Sequence, residues 1–445
     1  MSGRTTRPLE RFWPYVEKPE EPTAEEAGPA GDSPLPTPAP EGDAVPATGG
    51  VAIVDALGRT VELEALPQRI VSAGRSGLTI VETLFLFPET RERLVALSVG
   101  QQKPGDFLSL VDPDYGTKTE IAPDSGPEQI APLRPDLVVL RSFMADTLGA
   151  ALEQVSIPVV YVDLETPEQY FRDLATLGQL LGNEERAREI EVFYQQRLDT
   201  IEAGLEGLDP ADRPRVLLVQ YSAQGGEVSL EVPSVAWLQT LEVELAGGEP
   251  VWREAALGGG WTVVNLEQIA AWNPDQIYVV SYGDDPAAVV EELRANAQWQ
   301  ELAAVQAGQI HGFPGEFFSW DQPDPRWILG VTWLAGKIHP DRFPDLDMNQ
   351  EILALYGEMY GLDEATATNN PTVVPVQKRN DPTGRAISRT CVDRSARLIV
   401  ARVTRPAISP RRSPDAAPMN ASTPAARPAS TVWLAMSVEV SPESP

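Results

Sequence analysis

One short pattern occurs twice in this chain. Glu128-Gln129-Ile130-Ala131 is followed, three residues on, by Pro135-Asp136 and an apolar run. Glu267-Gln268-Ile269-Ala270 is followed, three residues on, by Pro274-Asp275 and another apolar run. In both copies a proline stops a helical segment and aims the chain into a strand, because it cannot continue the helix and holds its predecessor extended. The copies stand 139 residues apart. That period is too long for a solenoid repeat, so the pattern implies two lobes of one architecture.

The segments around the two copies agree. In the first half, strand-like runs at Arg69–Val71, Leu94–Val99, Asp136–Leu140 and Val159–Val162 alternate with helical runs such as Leu78–Phe87. The second half starts over with Arg215–Gln220, a helix at Ser234–Leu245, strands at Gln276–Val280 and Gln309–Phe313, and helices at Pro286–Leu293, Pro325–Ile338 and Met348–Tyr360. Strands alternating with helices give an α/β class with mostly parallel sheets. Between the halves, Ala187, Ile190, Tyr194, Leu198, Ile201 and Leu205 fall three or four apart, which predicts one helix over Glu184–Gly207 with Asn183 as its N-cap. It would be about 36 Å long, enough to connect two lobes.

Charge divides the chain into unlike parts. The formal net charge is −30, and residues 51–365 carry 51 acidic against 20 basic side chains. An acidic module of this kind excludes a phosphate-backbone partner. Residues 1–50 hold 10 of the 42 prolines and read as a disordered Pro/Glu-rich linker. Residues 366–445 hold another 11 prolines with a net charge of +6, and read as a disordered basic tail. The expected organisation is therefore linker 1–50, N-terminal lobe 51–182, connecting helix 183–208, C-terminal lobe 209–365 and tail 366–445. The single cysteine, Cys391, excludes an intrachain disulfide framework, and two histidines leave little for metal or triad chemistry. No catalytic constellation is evident, and no cofactor or protein-held metal is expected. Gly74-Arg75-Ser76-Gly77 lacks the spacing of a nucleophile elbow, and Gly258-Gly259-Gly260 lacks that of a phosphate-binding loop.

In α/β lobes, loops after the carboxyl ends of strands face the ligand crevice. Here they carry Arg75 and Ser76, Gln101 to Lys103, Arg141 and Phe143, Tyr221, Ser281 and Tyr282, and Phe318 and Trp320. Trp261 stands in the glycine loop, and Arg326 opens the Trp-rich helix. Aromatic faces with a few cationic and polar groups suit a bulky, partly apolar, anionic ligand. Several of these side chains would serve equally as core.

Taken in order, several segments resemble the class III substrate-binding proteins of bacterial and archaeal ABC importers, which receive iron–siderophore complexes or cobalamin. They are Val54 to Val61, Pro67 to Ser72, Pro127 to Val138, Leu245 to Glu249, Leu266 to Ile269, Trp299 to Gly312, and Pro325-Arg326. The resemblance spans about 51–362. It implies two Rossmann-like lobes joined by one rigid helix, with ligand in the crevice between them. It also implies one glutamate per lobe docking onto arginines of the membrane permease, at Glu128 and Glu267. Both glutamates suit helix starts as well: Ser125-x-x-Glu128 reads as a capping box, and Glu267 stands two after the cap-like Asn265.

The expectation is a monomeric, extracytoplasmic, membrane-tethered binding protein that captures an iron(III)–siderophore-type complex and delivers it to an ABC permease. Arg75, Arg141 and Arg326 would suit the anionic chelate; Trp261, Tyr282, Phe318 and Trp320 would suit a catecholate or a corrin ring. A cobalamin or corrinoid ligand is the alternative within the family. A chelatase-like enzyme using His311, or a ligand-sensing scaffold, is the alternative from another class. Two departures from the family stand out. No signal peptide or lipid-anchoring cysteine precedes residue 51, so the expected true N-terminus lies upstream. The basic tail is foreign to the family, being either an extension or an out-of-frame reading.

Overall fold

The computed structural model of the chain describes residues 50–369, apart from 101–104, 225–226 and 257. The linker, the basic tail from residue 370 and the Gln101–Lys103 segment fall outside the described residues.

In the N-terminal lobe a hairpin, β1 (Val51–Val54) with β2 (Thr60–Leu63), precedes five strands: β3 (Ile70–Ser72), β4 (Leu94–Ser98), β5 (Thr119–Ile121), β6 (Leu137–Arg141) and β7 (Val159–Val162). All pairings in this sheet are parallel, and the order is β5-β4-β3-β6-β7. Its strands are unbroken apolar runs because both faces are covered: Val138, Val139 and Leu140 have no exposed surface. The order reverses between β3 and β6, which places a switch-point crevice beyond Ser72 and Arg141.

The C-terminal lobe has β8 (Arg215–Gln224), β9 (Glu227–Val232), β10 (Glu249–Pro250), β11 (Thr262–Val264), β12 (Gln276–Val280) and β13 (Ile310–Gly312). The order is β11-β9-β8-β12-β13, with β10 beside β8. β8, β12 and β13 are parallel, as expected. β9 and β11 are antiparallel additions that the sequence reading did not foresee. β8 also runs four residues past Gln220 to make a hairpin with β9.

The repeated corner is built the same way twice. The Asp136 carboxylate accepts the amides of Gln68 (2.7 Å) and Arg69 (2.9 Å), and the Asp136 amide donates to the Arg69 carbonyl. Asp275 accepts the Arg215 amide (2.7 Å), and its own amide donates to the Arg215 carbonyl. The Arg69 guanidinium closes on the carbonyls of Leu133 and Arg134, and that of Arg215 on Trp272. Each corner thus pins its helix end to the first strand of its sheet.

The connecting helix runs Glu184–Gly204, three residues short of the expected end. Before it lies a helix over Pro167–Leu181 that the sequence reading passed over, although Thr166 and Gln169 form a full capping box. The two meet at Gly182-Asn183. Gly182 takes φ 69°, where a side chain would be strained and would strike Leu66, and Asn183 then caps the next helix through its bond from the Arg186 amide. Ala187, Ile190, Phe193, Tyr194, Leu198 and Ile201 are buried along one stripe. The Tyr194 hydroxyl donates to the Pro325 carbonyl (2.6 Å) and contacts the Tyr170 hydroxyl (3.1 Å), touching both lobes at once. Arg186 grips the carbonyls of Leu86, Glu358 and Met359. Chain order ends with a helix over Glu364–Asn369, so regular structure continues past the boundary expected at 365.

Candidate functional site

A cleft of about 540 Å³ opens at the crevice ends of the two sheets, lined by Gly74, Ser76, Gly77, Leu78, Ser98, Gly100 and Pro123 from the N-terminal lobe and Tyr282 from the C-terminal lobe. Most of the first wall follows from the β3 turn. Gly74 has φ 81°, and a Cβ there would strike Met144 Sδ at 2.4 Å, so glycine lets the β3 and β6 loops meet. Ser76 is held left-handed at φ 57° as the cap residue of the Gly77–Leu84 helix, and its side chain makes no capping bond. Arg75 is exposed beside this wall, its amide against Met144 Sδ.

The C-terminal lobe contributes Tyr282, the first of three aromatic rings in series. Tyr282 follows β12 and is 38% exposed. Its ring stands 6.4 Å from that of Trp261, edge-on, and Trp261 stands 5.7 Å from Trp237 in the same manner. Such T-shaped pairs set the rings at fixed angles. Trp237 was not among the expected site residues; its position just before the Leu238–Leu245 helix hides it from a search of strand ends. The Tyr282 hydroxyl donates to Asp321 Oδ2 (2.6 Å), and Asp321 is wholly buried.

Below this wall lies a buried acidic layer. Glu242 has no exposed surface, and neither of its carboxylate oxygens has a hydrogen-bond partner among the described residues. Burial, with Asp321 and Asp324 nearby, pushes its carboxyl well above the usual range and so favours the protonated form.

The remaining expected residues lie elsewhere. Arg326 is not a crevice arginine. It is fully buried between the lobes, 2.5 Å from Glu82 of the Gly77–Leu84 helix and 3.3 Å from Asp324, and it bonds the Tyr356 hydroxyl at 3.2 Å. Its guanidinium lies 4.5 Å over the Phe107 ring. Desolvation drives Glu82 and Asp324 upward while the guanidinium opposes it. Arg326 is thus committed to fastening one lobe to the other. Trp320 is fully buried and Phe318 nearly so: the segment before the Trp327–Ile338 helix folds back, and the Trp320 carbonyl would touch any Cβ at Gly330. Both therefore belong to the interior. Arg141 is buried and paired to Glu165 (2.6 Å), with the exposed Phe143 ring 5.8 Å away at the lip of the β6 loop. Tyr221 is buried on β8 opposite Leu230 and does not line the cleft. His311 is half-buried on β13 beside the Tyr278 ring, and burial lowers it to about 4.

Glu128 and Glu267 are exposed, and each is the second residue of its short helix. Capping is done by their neighbours. The Gln129 side chain accepts the Gly126 amide (2.7 Å), so the cap residue is Gly126 and not Ser125. The Gln268 side chain accepts the Asn265 amide (3.1 Å), and Asn265 Oδ1 accepts that of Gln268 (2.8 Å). Neither glutamate is needed for the caps. Among the described residues, no group of three or more histidine, cysteine, aspartate or glutamate side chains could hold a metal ion, and no helix is long and apolar enough to cross a membrane.

Two α/β lobes, a continuous helix between them and a cleft at both switch points make a two-lobed architecture with an interlobe cleft. Residues 98–316 match the family model of the periplasmic binding proteins. The molybdate-binding protein MolA of Haemophilus influenzae is 26% identical over 253 residues, which are 52% of this chain and 69% of that protein. A vitamin B12-binding protein of Pectobacterium carotovorum is 26% identical over 280 residues, 62% of this chain and 89% of that protein. A periplasmic solute-binding protein of Veillonella parvula shares the fold at a TM-score of 0.61 and 20% identity, covering 75% of this chain and all of that one. Over these residues the chain is similar to periplasmic binding proteins, among them relatives named for binding molybdate and vitamin B12.

Proposed function

We propose that this protein captures an iron(III)–siderophore-type metal complex in the interlobe cleft and hands it to an ABC permease. The observation that carries the reading is the make-up of the cleft. One wall is rich in glycine and serine, the other presents Tyr282, whose ring is met edge-on by Trp261 and that in turn by Trp237, and the volume is about 540 Å³. That volume lies within the range of small-molecule sites. A metal that arrives with its own donor atoms needs from the protein only ring faces and polar edges. Of the three arginines first assigned to an anionic ligand, Arg75 alone is exposed, so the aromatic wall carries most of the recognition.

Delivery would use Glu128 and Glu267. Each projects from an equivalent corner of its lobe, and neither has an ion-pair partner among the described residues. Paired carboxylates on an acidic module would steer it to a basic permease face, with an on-rate that falls as salt rises. The protein would act as a monomer outside the cytoplasm, tethered to the membrane.

The test is calorimetric titration of the full chain with a ferric hydroxamate, a ferric catecholate, cyanocobalamin and sodium molybdate. The reading expects a ferric siderophore to bind at least about tenfold more tightly than the others, a difference of about 1.4 kcal/mol. Tightest binding of cyanocobalamin would replace it with the corrinoid reading, which the vitamin B12-binding relative favours.

A further inference from the structure

The N-terminal-lobe wall of the cleft is chemically unlike the aromatic wall. The Gly77–Leu84 helix starts there, with Gly77 and Leu78 themselves lining the cleft. First-turn amides of a helix have no acceptor within it, and a cap side chain usually supplies one. Here Ser76 supplies none. The helix also brings partial positive charge to this point. A second, separate observation comes from β4. Ser98 is only 3% exposed, lines the same cleft, and its hydroxyl has no partner among the described residues. An unmatched buried hydroxyl is costly unless something completes it. It lies next to the helix start, since a Cβ at Gly77 would fall 2.9 Å from the Ser98 Cβ.

We propose that the N-terminal-lobe end of the cleft is an oxyanion subsite, in which the first-turn amides of the Gly77–Leu84 helix and the Ser98 hydroxyl receive a carboxylate or tetrahedral oxyanion. The inference rests on the cleft being the ligand site. It adds a direction to it: the anionic edge of the ligand points to the N-terminal lobe, and its flat or apolar part rests on Tyr282 and Trp261. The oxyanion is either a free tetrahedral ion or a carboxylate carried by a metal chelate.

Three variants of the full chain test this. Ser98→Ala removes a hydroxyl that has no partner in the protein. Leu78→Glu places a carboxylate at the half-exposed mouth of the subsite, where the helix dipole tolerates it, and Leu78→Gln is its neutral control. None of the three should lower the melting temperature. Calorimetric titrations would use sodium molybdate, ferric citrate and whichever other chelate the wild type binds.

A bound anion or chelate should bind about tenfold more weakly to Leu78→Glu than to its isosteric neutral control Leu78→Gln, and at least about threefold more weakly to Ser98→Ala than to the wild type. If a chelate shows this pattern and molybdate does not bind, the subsite and the chelate reading both stand. If molybdate alone binds with this pattern, the subsite stands and the chelate reading falls. A chelate bound equally by all variants overturns the subsite and leaves the chelate reading intact. No binding of any probe overturns both.

Discussion

Glu242 is a carboxyl with no exposed surface and no cation beside it, set between the Leu238–Leu245 helix and Gly330 of the Trp327–Ile338 helix. A folded-state pKa raised above the unfolded one gives a definite sign. Below about pH 4.3, the ordinary glutamate value, both states are protonated and the group costs nothing. As pH rises, the unfolded chain releases its proton and the folded one retains it, so stability is lost up to the folded pKa. Glu242→Gln should therefore match the wild type at pH 4 and be more stable by about 1–3 kcal/mol at pH 8. Urea denaturation at the two pH values checks this; a destabilised variant at pH 8 would mean the carboxylate has a buried partner. None of this could be read from the sequence, where Glu242 is one glutamate among many on an amphipathic run. Arg326 misled for the same reason. Its place at a helix start suggested ligand contact, and only three-dimensional packing shows Glu82, 244 residues away, already holding it.

At the scale of elements, the sequence was most legible where the signal is local. Periodicity gave the connecting helix, apolar runs gave the parallel strands, and the repeated Pro-Asp corners appear with matching hydrogen bonds. The antiparallel β9 and β11 were missed for different reasons: Glu227–Val232 does alternate polar and apolar residues and could have been read as a strand, whereas the three residues of β11 are too short a run to carry a period. The corners also separate capping from docking. Asn265→Ala should cost about 1 kcal/mol of stability, since it removes the reciprocal cap with Gln268. Glu267→Ala and Glu128→Ala should each stay within about 0.5 kcal/mol of the wild type. Thermal melts settle it: a large loss in either glutamate variant would return these residues to a structural role.

For the whole molecule, the two lobes share a continuous helix and a buried Arg326–Glu82 contact, so rearrangement on ligand binding should be small. The acidity that first excluded nucleic acid would find its use at this scale, in the proposed docking to a permease. The double variant Glu128→Ala/Glu267→Ala should keep its ligand affinity and lose uptake in vesicles carrying the cognate permease. Retained uptake would remove the docking assignment without touching the cleft. The cleft itself was half legible: Ser76 and Tyr282 were placed in advance, whereas Ser98, and Trp237 in the ring series beside Tyr282, were not. Ser98 ends an apolar strand, and Trp237 precedes a helix, so neither carries a sequence signal of its own.

The central claim is that ligand binds between the glycine-serine wall and the aromatic wall. The most direct measurement is the dissociation constant of the preferred ferric siderophore for the wild type and for Trp261→Ala/Tyr282→Ala, followed by tryptophan fluorescence. Binding to the wild type with at least about tenfold weakening in the double variant, at unchanged secondary structure, is the predicted result; stacking on one ring alone is worth about 0.5–1.5 kcal/mol. Equal affinity of the two proteins for the ferric complex would contradict the account and place the ligand elsewhere.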